Sequence, residues 1–118
     1  MIDDLAGALR QFARERDWEQ FHTPKNMAMA LTVEAAELQE IFQWLTPEES
    51  RELTADQKGR GEEETADVFI YLVRLCDLLG IDLMDAAWRK LDKNGEKYPA
   101  DQVRGSASKY TEYEHRGD

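Results

Sequence analysis

Two stretches of this chain set carboxylates three residues apart inside otherwise apolar helical patterns: Glu34-Ala35-Ala36-Glu37 and Glu64-Thr65-Ala66-Asp67. At about 100° per residue with Leu31 as origin, Met27, Leu38, Ile41, Phe42 and Leu45 share one stripe. Glu34 falls within that stripe, and Glu37 lies at its edge on the side of Asn26 and Trp44. With Leu75 as origin, Val68, Tyr71, Leu72, Leu78 and Leu79 take the core side of a second helix, with Glu64 among them and Asp67 at the edge beside Arg74. Four acids aimed at one interior repel each other, and an unpaired charge in a low-dielectric site costs on the order of several kcal/mol. A cation is therefore the expected occupant. Hard oxygen donors with no histidine at the matching positions favour Mg²⁺, with Mn²⁺ possible, over zinc or a di-iron centre. Either pair alone reads better as a solvated helix face; the occurrence of both within apolar stripes points to a metal site.

Charge of the opposite sign follows later in the chain. Lys90, Lys93 and Lys97 stand at i, i+3 and i+7 with Asn94 among them, a spacing that suits point-charge phosphate binding or, equally, the negative end of a helix dipole. His22 and Asn26 flank the start of a helix, whose first turn suits an anionic phosphate. On residue type alone, Trp18, Trp44 and Tyr71 read as core packing.

The elements that must position these residues are helices, because apolar residues recur at three and four in four segments and no stretch alternates as a half-buried strand does. The expected architecture is all-α, a four-helix bundle. Helix one is expected over about 2–18, with Leu5, Leu9, Phe12 and Ala13 inward. A short aromatic loop, Phe21-His22-Thr23-Pro24, should follow it. Helix two begins near Pro24 and runs about six turns. Thr46-Pro47-Glu48-Glu49 signals a capped short helix, and Arg51 to Gly61 reads as a polar, mobile connection. Helix three is expected over about 62–79, ending at Gly80, and helix four over about 82–94 with Asp82 as cap. Beyond Tyr98-Pro99 no apolar face persists, so Gly105-Ser106-Ala107-Ser108-Lys109-Tyr110 belongs to a tail that orders only against something else.

A chain of 118 residues has room for one core, expected within 1–98, followed by the tail at 99–118. The formal charge of −10 repels a phosphate backbone and argues against nucleic-acid polymers as partners. Cys76 is the single cysteine, which excludes an intrachain disulfide and a cysteine-rich zinc site and suits a reducing compartment. The start lacks the pattern of a signal peptide, and no apolar run can span a bilayer, so a cytoplasmic protein with no membrane partner is expected. In helix three, Phe69, Val73 and Cys76 lie opposite or beside the main stripe. Such a helix is apolar almost all round, and a second copy is expected to cover the face that one short chain leaves exposed.

The order and spacing of several stretches resemble the all-α, MazG-like nucleoside triphosphate pyrophosphohydrolases, and most closely their dCTP pyrophosphatase branch. These stretches are Arg16 to His22 with Pro24-Lys25-Asn26, Glu34 to Leu38 through Trp44, Glu64 to Val68 through Val73, and Lys90 to Asn94 with Lys97-Tyr98-Pro99. The resemblance implies Mg²⁺-dependent hydrolysis of a (deoxy)nucleoside triphosphate between the α and β phosphates, giving a monophosphate and pyrophosphate. It implies Glu34, Glu37, Glu64 and Asp67 as metal ligands and catalytic acids. It also implies Lys90, Asn94 and Lys97 as substrate contacts, and Trp18, Trp44 and Tyr71 around the base and sugar, where a flat ring offers a stacking face. A homo-oligomer of two dimers, with loops shared between neighbours, is implied as well. Two competing readings are a non-catalytic helical oligomerisation module with a structural cation, and a relative acting on dUTP or another nucleotide.

Overall fold

The computed structural model describes residues 1–106. It contains helices α1 (Ile2–Glu15), α2 (Pro24–Phe42), α3 (Pro47–Arg51), α4 (Ala55–Leu79), α5 (Leu83–Lys97) and α6 (Ala100–Val103), with a 3₁₀ turn at Glu19–Phe21. No strand occurs among the described residues, so the all-α expectation holds. None of the described helices is long and apolar enough to cross a membrane. The chain divides into two compact units, Met1–Ile81 with α1 to α4, and Asp82 onward with α5 and α6.

In the first unit, α2 packs along α4 and α1 packs on α4 as well. Local chemistry sets where each helix begins. Thr23 caps α2 by accepting the Asn26 N–H at 3.1 Å, and Pro24 takes the first helical position. Thr46 and Glu49 close a capping box on α3, and Thr54 and Gln57 close a second on α4. That second box corrects the expectation of a mobile connection from Arg51 to Gly61. Residues from Ala55 onward are already helix, so α4 begins seven residues before the apolar pattern announces it. α1 ends at Glu15, short of the expected 18. Asp17 adopts a left-handed φ of 54°, and the Trp18 N–H turns back to the Ala13 carbonyl at 2.9 Å. Gly80 ends α4 with φ 68°, a conformation that costs a glycine little, and the Ile81 N–H bonds to the Cys76 carbonyl.

Among the described residues, Ala6, Ala13, Met27, Ile41, Val73 and Cys76 are the buried apolar ones. The stripe expected on helix three is half-buried at Val68, Tyr71, Leu72, Leu75 and Leu78, and the deepest residues lie beside it. Val73 and Cys76, placed by sequence on a face needing a second copy, are buried within the chain, whereas Leu79 is 50% exposed. Phe69 is 40% exposed.

In the second unit, Asp82 caps α5 by accepting the Asp85 N–H, and α5 continues to Lys97, past the expected 94. α6 adds one helical turn where an irregular tail was expected. Residues 107–118, which include Lys109 and Tyr110, lie outside the described residues.

Candidate active site

The packing of α2 on α4 brings Glu34, Glu37 and Glu64 together, each half-buried, with carboxylate oxygens that all lie within 4.8 Å of one another. Asp67 stands outside that trio. Its side chain is one methylene shorter, and it lines the cavity described below while its charge still acts on Glu34 and Glu64. Three of the four expected ligands thus converge and the fourth borders them. Oε2 of Glu34 and Oε2 of Glu64 are buried without a hydrogen-bond partner. Two orphaned anionic oxygens carry a desolvation cost that protein groups do not offset here. Glu34 responds by holding its proton: its pKa is pushed from 4.5 up to about 7, first by burial, then by a hydrogen bond with Glu37 and the charges of Glu37, Asp67 and Glu64. Burial first, then a hydrogen bond with Glu37 and the charges of Glu37, Asp67 and Glu63, raise Glu64 as well. An all-oxygen donor set with unsatisfied buried lone pairs fits a hard divalent cation.

Beside the acids lies a cavity of about 340 Å³. Its walls combine Leu9, Phe12 and Trp18 from α1 and the turn after it, His22 and Met27 from the start of α2, and Asp67, Ile70, Tyr71 and Arg74 from α4. Such a volume suits a small-molecule site. Phe12 and Trp18 meet edge to face, with centroids 5.8 Å apart, and Trp18 is tilted against His22 at 6.4 Å. The Arg16 guanidinium covers the Phe12 ring at 3.6 Å. Tyr71 stays protonated to higher pH than a free phenol, because burial and then the charges of Glu34, Asp67 and Glu37 disfavour its anion. A flat aromatic wall with a phenol and a carboxylate at one side can stack a nucleobase and direct the attached phosphates toward the acids.

The other residues singled out by sequence fall elsewhere. Trp44 follows α2 and is 87% exposed, so this chain does not bring it to the cavity. Asn26 uses its side-chain amide to donate to the Phe21 carbonyl at 2.9 Å, which ties the 3₁₀ turn to α2. Lys90, Asn94 and Lys97 share α5 in the second unit. Lys97, then burial, then a hydrogen bond with Lys97, then Lys93 lower the pKa of Lys90, so the lysines form one cationic patch.

Sequence reasoning missed Arg74 as more than an edge residue. It is buried, its Nε donates to Nδ1 of His22 at 3.1 Å, and its Nη1 reaches Oδ2 of Asp77 at 3.4 Å. A charged residue flanked by Val73 and Leu75 inside an apolar run was the available signal.

Residues 29–113 match the MazG-like family. The dCTP pyrophosphatase 1 of Bos taurus is 42% identical over 116 residues, covering 97% of this chain and 69% of the relative. That of Homo sapiens is 43% identical over 116 residues, covering 97% and 68%. The chain thus spans about two thirds of the length of these curated relatives. A crystal structure of a pyrophosphatase from Archaeoglobus fulgidus superposes with a TM-score of 0.78 at 47% identity, covering 82% of this chain and 91% of that one. With an acid cluster on two packed helices, an all-α fold and likeness along almost its whole length, this chain belongs to the MazG-like family.

Proposed function

We propose that this chain hydrolyses a (deoxy)nucleoside triphosphate between its α and β phosphates, with Mg²⁺ as cofactor and deoxycytidine triphosphates among the preferred substrates. That it is a nucleoside triphosphate pyrophosphatase is supported by the dCTP pyrophosphatases it resembles and by the archaeal pyrophosphatase that shares its fold. The observation that carries the mechanism is the pair of buried, partnerless oxygens on Glu34 and Glu64 beside an aromatic cavity. Glu34, Glu37, Glu64 and Asp67 would hold the cation, which would supply positive charge to neutralise the phosphates and polarise the α-phosphate. The chain's own groups do the rest. The rings of Trp18 and Tyr71 stack and orient the nucleoside, and excess carboxylate oxygens not engaged by the cation accept the proton released by the attacking water. The resemblance supports Lys90, Asn94 and Lys97 of α5 as substrate contacts through cationic and amide groups.

The exposure of Trp44 supports a homo-oligomer, at least a dimer and in its full form a tetramer, in which this ring enters a site completed by a second copy. Residues 1–98 carry the activity. A cytoplasmic location suits an enzyme of free nucleotides whose Cys76 is a buried thiol.

The test is a panel of nucleoside triphosphates with Mg²⁺, scored for pyrophosphate. Pyrophosphate release with deoxycytidine triphosphate in the lead is expected. Stepwise release of orthophosphate would overturn the cleavage position, and a lead by dUTP would reassign the base.

A further inference from the structure

Arg74 sits in the α4 sequence Val73-Arg74-Leu75 and is only 7% exposed. A guanidinium does not lose its charge by deprotonation, so burying it requires partners that accept hydrogen bonds. The first is Asp77, one turn along α4, whose Oδ2 lies 3.4 Å from Nη1. Asp77 is in turn fixed from α1 by Arg10, whose Nη1 donates to Oδ1 at 2.6 Å. The second is His22, whose Nδ1 lies 3.1 Å from Arg74 Nε. Because Nε–H can only donate, Nδ1 must accept and carries no hydrogen. A neutral imidazole so engaged bears its hydrogen on Nε2. Among the described residues no partner takes that N–H. His22 lines the aromatic cavity, whose walls are otherwise mainly apolar.

We propose that Arg74 is a positioning residue that locks His22 in the Nε2–H tautomer, so that the cavity presents one fixed donor to a carbonyl oxygen or unprotonated ring nitrogen of the substrate's base. This deepens the nucleotide reading and rests on it for the identity of the ligand. The groups that face His22 agree with the lock. Burial and then Arg74 disfavour a second proton on the ring, Glu19 opposes them, and Asp67 and Tyr71 share the cavity wall. A second proton on His22 would set two donors against each other beside a buried cation. His22 thus serves the base as a neutral donor, not the phosphates as a cation.

The chain holds two histidines, so long-range ¹H–¹⁵N spectra with His22→Gln as the assignment control read the tautomer directly. In the wild-type chain at neutral pH, Nε2 is expected to carry the hydrogen, and its resonance should move when deoxycytidine 5′-monophosphate is added. In Arg74→Met the tautomers should mix and the ring should take its proton at higher pH. KM for deoxycytidine triphosphate should rise about three- to tenfold, the worth of one hydrogen bond, with the acid limb of kcat/KM displaced upward. A wild-type His22 with its hydrogen on Nδ1, or charged at neutral pH, overturns the lock even if Arg74→Met does not fold. So does an Arg74→Met chain with wild-type tautomer and KM. A nucleotide-hydrolysing chain whose Nε2 resonance ignores the monophosphate defeats this inference alone. A locked tautomer in a chain that cleaves no triphosphate defeats the proposed function instead.

Discussion

The acid cluster between α2 and α4 and the guanidinium of Arg74, about two turns beyond Asp67 on the same helix, both take charge out of water, with opposite outcomes. Arg74 finds acceptors on Asp77 and His22, and Asp77 is held again by Arg10. Glu34 and Glu64 each keep a buried oxygen with no partner, and Glu34 relieves the strain by holding its proton up to a pH of about 7. A buried charge whose partners are all present belongs to the scaffold and sets geometry. One whose partners are missing marks the place where something else binds.

The largest effect expected from breaking that contrast is on turnover. Glu37→Gln or Asp67→Asn should lower kcat by about 10²–10³-fold or more, the loss typical of removing one electrostatic group from a preorganised site. Circular dichroism should stay unchanged, because neither substitution empties the core. Full activity in either variant would remove the acids from the mechanism. Next in size is stability. Mg²⁺ at about a hundred times its dissociation constant should stabilise the chain by about 2.7 kcal/mol, seen as a higher melting temperature than in chelator. Glu34→Gln should reverse the ranking: in chelator it should melt above wild type, by up to about 1–3 kcal/mol, since an amide there no longer buries a potential anion. With Mg²⁺ it should gain less than wild type. A smaller effect belongs to the cavity: Trp18→Ala should raise KM for deoxycytidine triphosphate about tenfold, since a stacked base is worth about 1–3 kcal/mol.

The contrast also divides what was legible in the sequence. Glu34 and Glu64 could be found because helical period alone places them within apolar stripes, and a charge in such a stripe contradicts its surroundings. Arg74 obeys the same logic, flanked by Val73 and Leu75, yet period puts it at an edge. Its partners are His22 and Asp77, the latter held by Arg10, and His22 and Arg10 lie far away in sequence and reach this cluster only when α1 and the turn before α2 pack on α4. The start of α4 was misread for the opposite reason. Its first turns are charged and carry Gly59 and Gly61, so no stripe reveals them, while the Thr54 and Gln57 box that nucleates them is a local signal available without any stripe. Val73 and Cys76 lie deeper than the predicted stripe because a helix apolar nearly all round has no unique inner side until its neighbours choose one.

The subtlest expected difference between the two clusters is the sign of their pH dependence. His22 is held below the usual histidine value of 6.5, chiefly by burial and then by Arg74, against the pull of Glu19. In the unfolded chain His22 takes its proton near 6.5, whereas the fold admits it only at lower pH. Its contribution to stability is therefore complete above 6.5 and is lost as pH falls through the depressed value. Glu34 runs the other way: the fold binds its proton between 4.5 and about 7, so the metal-free chain gains stability from this group as pH falls through that window. A single denaturation profile in chelator mixes the two trends, and each must be read as a difference. Wild type minus His22→Gln should shrink as pH falls from 7.5 toward 5, because the glutamine keeps an acceptor for Arg74 and has no proton to gain. Wild type minus Glu34→Gln, measured the same way, should shift in favour of wild type over the same fall. If both differences were flat, neither group would be coupled to folding. If the His22 difference grew with acid, Arg74 would be stabilising a charged ring, contrary to the direction of its hydrogen bond.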